Sequence, residues 1–202
     1  MRAVIICGGN VGEYITEYIG DGDFIVCADS GYDSAVKFGI KPDILIGDMD
    51  SVKSDCKNEK TVVYPTHKDF TDSEIVIQYV KNHGYDEVLM FGMIGTRMDH
   101  TLANLGLLKY FCNDSAKIID ANNEIFLSGG EIILRGKTGD TVSVVPFEGD
   151  LIGVTTENLE YPLDNQSILS GTSLGISNVM TDDVCKININ FKKVRHCRNF
   201  LN

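Results

Sequence analysis

Six short apolar runs, at residues 3–7, 24–28, 44–46, 61–64, 88–91 and 116–120, set the rhythm of the chain's first half. Runs of this length rich in Val and Ile read as strands buried on both faces. Most are followed by a glycine- or acid-bearing loop, and four helical patterns are interleaved with them: one through Val11, Tyr14, Ile15, Tyr18 and Ile19, then residues 32–38, a stretch around 75–80, and about 101–111. Strand–loop–helix alternation builds a mostly parallel sheet flanked by helices. After residue 123 the pattern changes to β-rich runs at 124–127, 131–134, 141–146, 152–157, 167–169 and 186–191, with no helical period. The expectation is an α/β domain over 1–122 followed by an all-β domain over 123–202.

The net charge of −11 argues against nucleic acid or an anionic membrane as partner, since both reward cationic surfaces. A small phosphate ligand is still compatible with it, because a bound cation, an Arg or a helix amino terminus can meet phosphate locally. The six cysteines (Cys7, Cys27, Cys56, Cys112, Cys185, Cys197) form no CxxC pair and no zinc spacing. No stretch reaches the length of a membrane span and no leader-like segment opens the chain, so a reduced, cytoplasmic protein is expected.

The third run ends in Gly47-Asp48-Met49-Asp50-Ser51. On an extended segment, residues i and i+2 point to the same side, so Asp48 and Asp50 would aim at one point beyond the strand's carboxyl end. Two such carboxylates suit a hard ion such as Mg²⁺; an ordinary surface turn is the alternative. Asp29 follows the second run and either joins that edge or, with Ser30, caps a helix. Thr71-Asp72-Ser73-Glu74 reads as a capping box, with Asp72 an acid in the first helical turn. Gly8-Gly9-Asn10 is a tight turn or a place for a ligand to approach backbone N–H groups. Residues 92–100 form a glycine-bearing loop in which Arg97 either grips phosphate or pairs locally with Asp99. His67 and Lys68 read as a solvated loop, with Lys68 a possible phosphate contact, and Lys192, Lys193, Arg195 and Arg198 as a solvated basic face. The stretch 170–178 is turn chemistry or a polar lip for a small heterocycle.

Taken in order, Ala28-Asp29-Ser30-Gly31, Gly47 to Ser51, Lys68 to Glu74, Gly92 to His100 and Gly171 to Asn178 resemble the thiamine pyrophosphokinase family over nearly the whole chain. The resemblance implies a Rossmann-like ATP-binding domain, a β-sandwich domain, and a homodimer with active sites at the subunit interface. It also implies Mg²⁺-dependent transfer of pyrophosphate from ATP to the hydroxyl of thiamine. Carried over, it implies Asp29, Asp48, Asp50, Asp72, Arg97 and Asp99 as catalytic, with Asp48, Asp50 and Asp72 on the metal. Arg97, Asp99 and Asn104 would meet ATP, with Gly9 and Asn10 alongside, and Ser177 and Asn178 would meet thiamine. Asp72 and Asp99 are both open as acceptor of the alcohol proton. Thr96 stands where many relatives have glycine, and the chain has no Trp to stack on thiamine. A non-catalytic thiamine or nucleotide sensor, and a phosphotransferase for another small alcohol, are the competing functions.

Overall fold

Five of the six early runs become strands whose side chains are almost wholly out of water. β1 (Arg2–Ile6), β2 (Phe24–Ala28), β3 (Ile44–Gly47), β4 (Thr61–Val63), β5 (Glu87–Phe91), β6 (Ala116–Ile119) and β7 (Glu124–Phe126) form one sheet ordered β4-β3-β2-β1-β5-β6-β7. β1 to β6 run parallel, and β7 alone is antiparallel to its neighbour. This computed structural model describes residues 1–56, 60–65, 69–111 and 115–190. His67, Lys68, Cys112, Cys197 and the basic tail lie outside the described residues.

The period of two along β1 divides the core. Ala3, Ile5 and Cys7 face α2 (Asp72–Asn82) through Ile75, Val76, Ile77 and Val80. Val4 and Ile6 face Ile15 together with Tyr32 and Ala35 of α1 (Gly31–Lys37). Fully burying one Ile or Leu contributes about 2 kcal/mol, so two such layers account for the sheet's place at the centre. From β1 the order steps outward through β2, β3 and β4, then returns to β5 on β1's other side. Such a reversal opens a crevice at the strands' carboxyl ends, where open α/β sheets hold ligands.

The helices differ in detail from the sequence reading. Around Val11 to Ile19 only a 3₁₀ segment forms, Glu13–Glu17, with Gly12 extended before it. Bulky and β-branched residues at 14–16 disfavour a longer helix, yet Ile15 is buried as its spacing requires. α3 (Met98–Leu107) starts before Thr101 and passes into a 3₁₀ turn, Leu108–Tyr110. At α2 the Thr71 hydroxyl accepts the Glu74 N–H (3.2 Å). Among the described residues the reciprocal half of the capping box is not made, and Glu74 accepts instead from the Tyr110 hydroxyl at 2.7 Å.

Two compact units divide after Leu127, not after residue 122. The five-residue difference belongs to β7, which pairs with Lys117–Ile119 and so completes the first unit's sheet. The second unit, Ser128–Asn202, contains β8 (Glu131–Arg135), β9 (Thr141–Val142), β10 (Leu151–Glu157), β11 (Gln166–Ile168), β12 (Asn178–Val179) and β13 (Val184–Ile189). A four-stranded antiparallel sheet, β11-β10-β13-β8, and a two-stranded one, β12-β9, share a core of Val154, Ile168, Ile187 and Ile189, against which Val142 packs.

Candidate active site

Three carboxylates converge at the carboxyl ends of β2 and β3. Asp29, Asp48 and Asp50 each offer an oxygen, and these oxygens lie within 4.8 Å of one another. The route to that convergence is not the extended segment expected from sequence. β3 stops at Gly47, and Met49 takes a left-handed conformation (φ 65°). The turn places the Asp50 N–H on Asp48 Oδ1 at 3.2 Å. Met49 and Val52 anchor the turn against the apolar layer under α1.

Asp29 is the most constrained member. It too is left-handed (φ 45°), a conformation that costs an L-residue about 1–2 kcal/mol. Its N–H donates to the Ile46 carbonyl (3.0 Å) and its carbonyl accepts from Tyr32 (3.0 Å). Gly47 allows this approach, since a Cβ there would sit 3.1 Å from Asp29 Cβ. Ser30, the N-cap of α1, makes no side-chain capping bond, while the Asp29 carboxylate accepts the Ser30 N–H. Among the described residues Asp29 Oδ1, which is buried, has no hydrogen-bond partner. Burial raises the Asp29 carboxyl above its ordinary value, and the charges of Asp72 and Asp48 raise it further, against the lowering effect of the Ser30 N–H and the Ser51 hydroxyl. A buried oxygen left unsatisfied beside two more carboxylates is costly without a cation, and a hard divalent ion answers all three acids.

Asp72, the first residue of α2, is half-buried and close enough to act on Asp29's charge, but the three-acid cluster takes Asp29 in its place. Cys7 lies near it with its thiol pushed up to about 12, chiefly by burial, and so is no nucleophile.

The raised Asp29 carboxyl has a consequence for stability. The unfolded chain ionises this group near 3.8 and the folded chain only at higher pH. Its contribution to stability is therefore greatest below the unfolded value and falls as pH rises through the folded one. Without divalent ions, Asp29→Asn removes that fall and makes the protein more stable at neutral pH. Urea unfolding from pH 3 to 7 checks this; parallel curves for wild type and variant would refute it.

The loop after β5 is tied down from two sides. The Gly9 N–H donates to the Gly92 carbonyl at 2.9 Å and the Asn10 N–H to the Ile94 carbonyl at 2.8 Å. A Cβ on Gly9 would overlap the Gly92 oxygen, and one on Gly92 (φ 68°) the Cys7 oxygen. The glycines thus let two loops meet, and these N–H groups are engaged there rather than aimed at a ligand. From α3, the Asn104 amide donates to the Met93 carbonyl at 2.7 Å, and the Thr101 hydroxyl bridges the Gly95 N–H and the Arg97 carbonyl. Asn104 is buried and braces the loop; Thr101 shares that task, a role visible only in three dimensions.

Arg97 and Asp99 form the local pair. Nε and Nη2 of Arg97 reach the two Asp99 oxygens at 3.2 and 2.6 Å, with both side chains about two-thirds exposed. The hydrogen bond from Arg97 brings the Asp99 carboxyl down to about 2. Among the described residues two of Arg97's five guanidinium N–H groups are engaged, on a side chain about two-thirds exposed.

In the second unit, Asn178 is buried and serves the fold. Its Oδ1 accepts the Tyr161 N–H (3.0 Å) and its Nδ2 donates to the Tyr161 carbonyl (2.7 Å). Ser177 is exposed, left-handed (φ 57°), and held by a bond from its N–H to the Ser143 hydroxyl (3.0 Å).

Residues 15–119 match the family described as "Thiamin pyrophosphokinase, catalytic domain", and residues 131–194 match "Thiamin pyrophosphokinase, vitamin B1 binding domain". Thiamine pyrophosphokinase of Bacillus subtilis (strain 168) is 31% identical over 186 residues, covering 86% of this chain and 87% of that protein. Thiamine pyrophosphokinase 1 of Oryza sativa subsp. japonica is 28% identical over 169 residues, 75% of this chain and 64% of the relative. The crystal structure of thiamine pyrophosphokinase from Bacillus subtilis superimposes with a TM-score of 0.84 at 26% identity, over 94% of each chain.

Proposed function

The chain belongs to the thiamin pyrophosphokinase family, and from that premise we propose that it transfers the pyrophosphoryl group of ATP to the hydroxyl of thiamine, releasing AMP. The observation that carries the reading is the cluster of Asp29, Asp48 and Asp50 with its orphaned buried oxygen, inside the segment that matches the catalytic domain.

Asp29, Asp48 and Asp50 would hold Mg²⁺, with Asp72 beside them. When bound, the ion supplies neutralisation of triphosphate charge. The chain's own work is positioning and charge balance. The free N–H groups of Arg97 meet phosphate oxygens, and the loop braced by Asn104 and Thr101 keeps that guanidinium in place. The thiamine oxygen forms a bond to the β-phosphorus as the bond from that phosphorus to the AMP oxygen breaks, and the hydroxyl proton passes to a carboxylate. Asp72 and Asp99 are the two candidate acceptors, and Asp99 is paired with Arg97 at 2.6 Å. On the second unit, Ser177 offers an exposed hydroxyl to thiamine while Asn178 keeps the strand beneath it in register.

Exposed Val145, Phe147, Ile152, Leu169, Leu174 and Ile176 on the second unit support a homodimer. Among the described residues no helix is long and apolar enough to cross a membrane, in keeping with a cytoplasmic enzyme.

The deciding experiment measures AMP from ATP and Mg²⁺ with and without thiamine. One AMP per thiamine diphosphate supports the reading. AMP formed only with another alcohol points to a different phosphotransferase, and ligand binding without AMP to a sensor. Arg97→Ala raises the KM for ATP about ten- to a hundredfold, from the loss of charged hydrogen bonds of about 1.5–3 kcal/mol each. In the same variant, an NMR titration finds the Asp99 carboxyl back toward its ordinary range; an unchanged KM would remove Arg97 from the ATP site.

A further inference from the structure

The three clustered acids come from two separately folded pieces of chain. Asp29 stands just before α1, whereas Asp48 and Asp50 ride on the turn after β3. Their spacing therefore depends on whatever ties that turn to α1. The N–H groups of Lys53 and Ser54 have no backbone carbonyl partner among the described residues. They donate instead to one side chain, Asp33 in the first turn of α1. Lys53 reaches both Asp33 oxygens at 3.1 Å, and Ser54 reaches Oδ1 at 2.7 Å. Beside this clamp, the Tyr32 hydroxyl donates to the Asp55 carbonyl at 3.2 Å. Met49, Val52 and Cys56 close the apolar side of the same segment.

We propose that Asp33 is a positioning residue for the acidic centre, fixing the Asp50 arm at its distance from Asp29 through the backbone of Lys53 and Ser54. This rests on the reading of Asp29, Asp48 and Asp50 as a divalent-cation site. A charged acceptor makes shorter and stronger bonds to N–H groups than a neutral one, which suits a tether that must hold three like charges together. Asp33 touches neither the ion nor the substrates. Its loss loosens the site before any ligand arrives.

The test measures Mn²⁺ binding to the full chain by electron paramagnetic resonance, with no nucleotide present. Asp33→Ala weakens binding about tenfold, the lower end of what loss of a supporting partner does to metal affinity. Asp33→Asn, which keeps one acceptor oxygen, loses less. In both variants the Lys53 and Ser54 amides exchange hydrogen faster, and turnover recovers at saturating metal. If wild type binds no Mn²⁺, the metal reading itself fails. If Asp50→Asn loses Mn²⁺ but Asp33→Ala binds it like wild type, only the positioning role fails. Should Asp33→Ala not fold, Asp33→Asn decides: faster exchange with unchanged Mn²⁺ affinity overturns the proposal.

Discussion

Asp50→Asn lowers thiamine diphosphate formation by a factor of about 10²–10³, comparable to removing one preorganised electrostatic group from an active site, while the melting temperature holds or rises. The side chain is exposed and Asn has the same shape, so no packing is lost. The Ser51 hydroxyl, which donates to Asp50 Oδ1 at 2.7 Å, keeps an oxygen to bond. What disappears is one of three negative charges whose oxygens sit within 4.8 Å. Mutual repulsion in such a cluster burdens the folded state, and function is the reason to keep it. Turnover and thermal melting on the same preparation check both halves. Near-wild-type turnover would remove Asp50 from the catalytic centre.

The meeting of Asp48 and Asp50 was legible because a run of apolar residues ending in paired acids has few places to go in an α/β sheet. Its geometry was not legible, since nothing in Asp48-Met49-Asp50 announces a left-handed Met49. Asp29, expected beside the centre, shares the cluster with Asp48 and Asp50 because β2 pairs with β3, while Asp72 acts on it by charge from the start of α2. The glycines at 8 and 9 gave a loop but not its partner; that Gly9 meets Gly92 follows only once β1 and β5 are neighbours. β7 looked like the start of the all-β half because a three-residue strand carries no mark of the sheet it will join. Asn104 and Asn178 are both buried with their amides turned to backbone groups, a role that side-chain type alone does not separate from ligand binding.

Gly92→Ala destabilises the first unit by about 3 kcal/mol, the sum of a left-handed penalty of about 1–2 kcal/mol and overpacking of about 1–3 kcal/mol. Both causes act at one atom: φ is 68°, and the added Cβ would overlap the Cys7 carbonyl oxygen. The melting temperature falls by roughly 10 °C, at about 2–4 °C per kcal/mol for a chain of this size. ATP binding weakens as well, since relief of the overlap drags the Arg97 loop from its seat. Gly95→Ala is the matched control, because its Cβ would meet only Gly9 Cα at 3.5 Å with no left-handed backbone. Equal losses in the two variants would show that the close approach at Gly92 is not what holds the loop.

The bonds from Gly9, Asn10, Thr101 and Asn104 that secure this loop are made between groups of the chain itself. A triphosphate therefore docks into a socket already cast, and little chain entropy is lost on association. The temperature dependence of nucleotide affinity should then reflect shed water and ion exchange, with no folding transition superimposed on it.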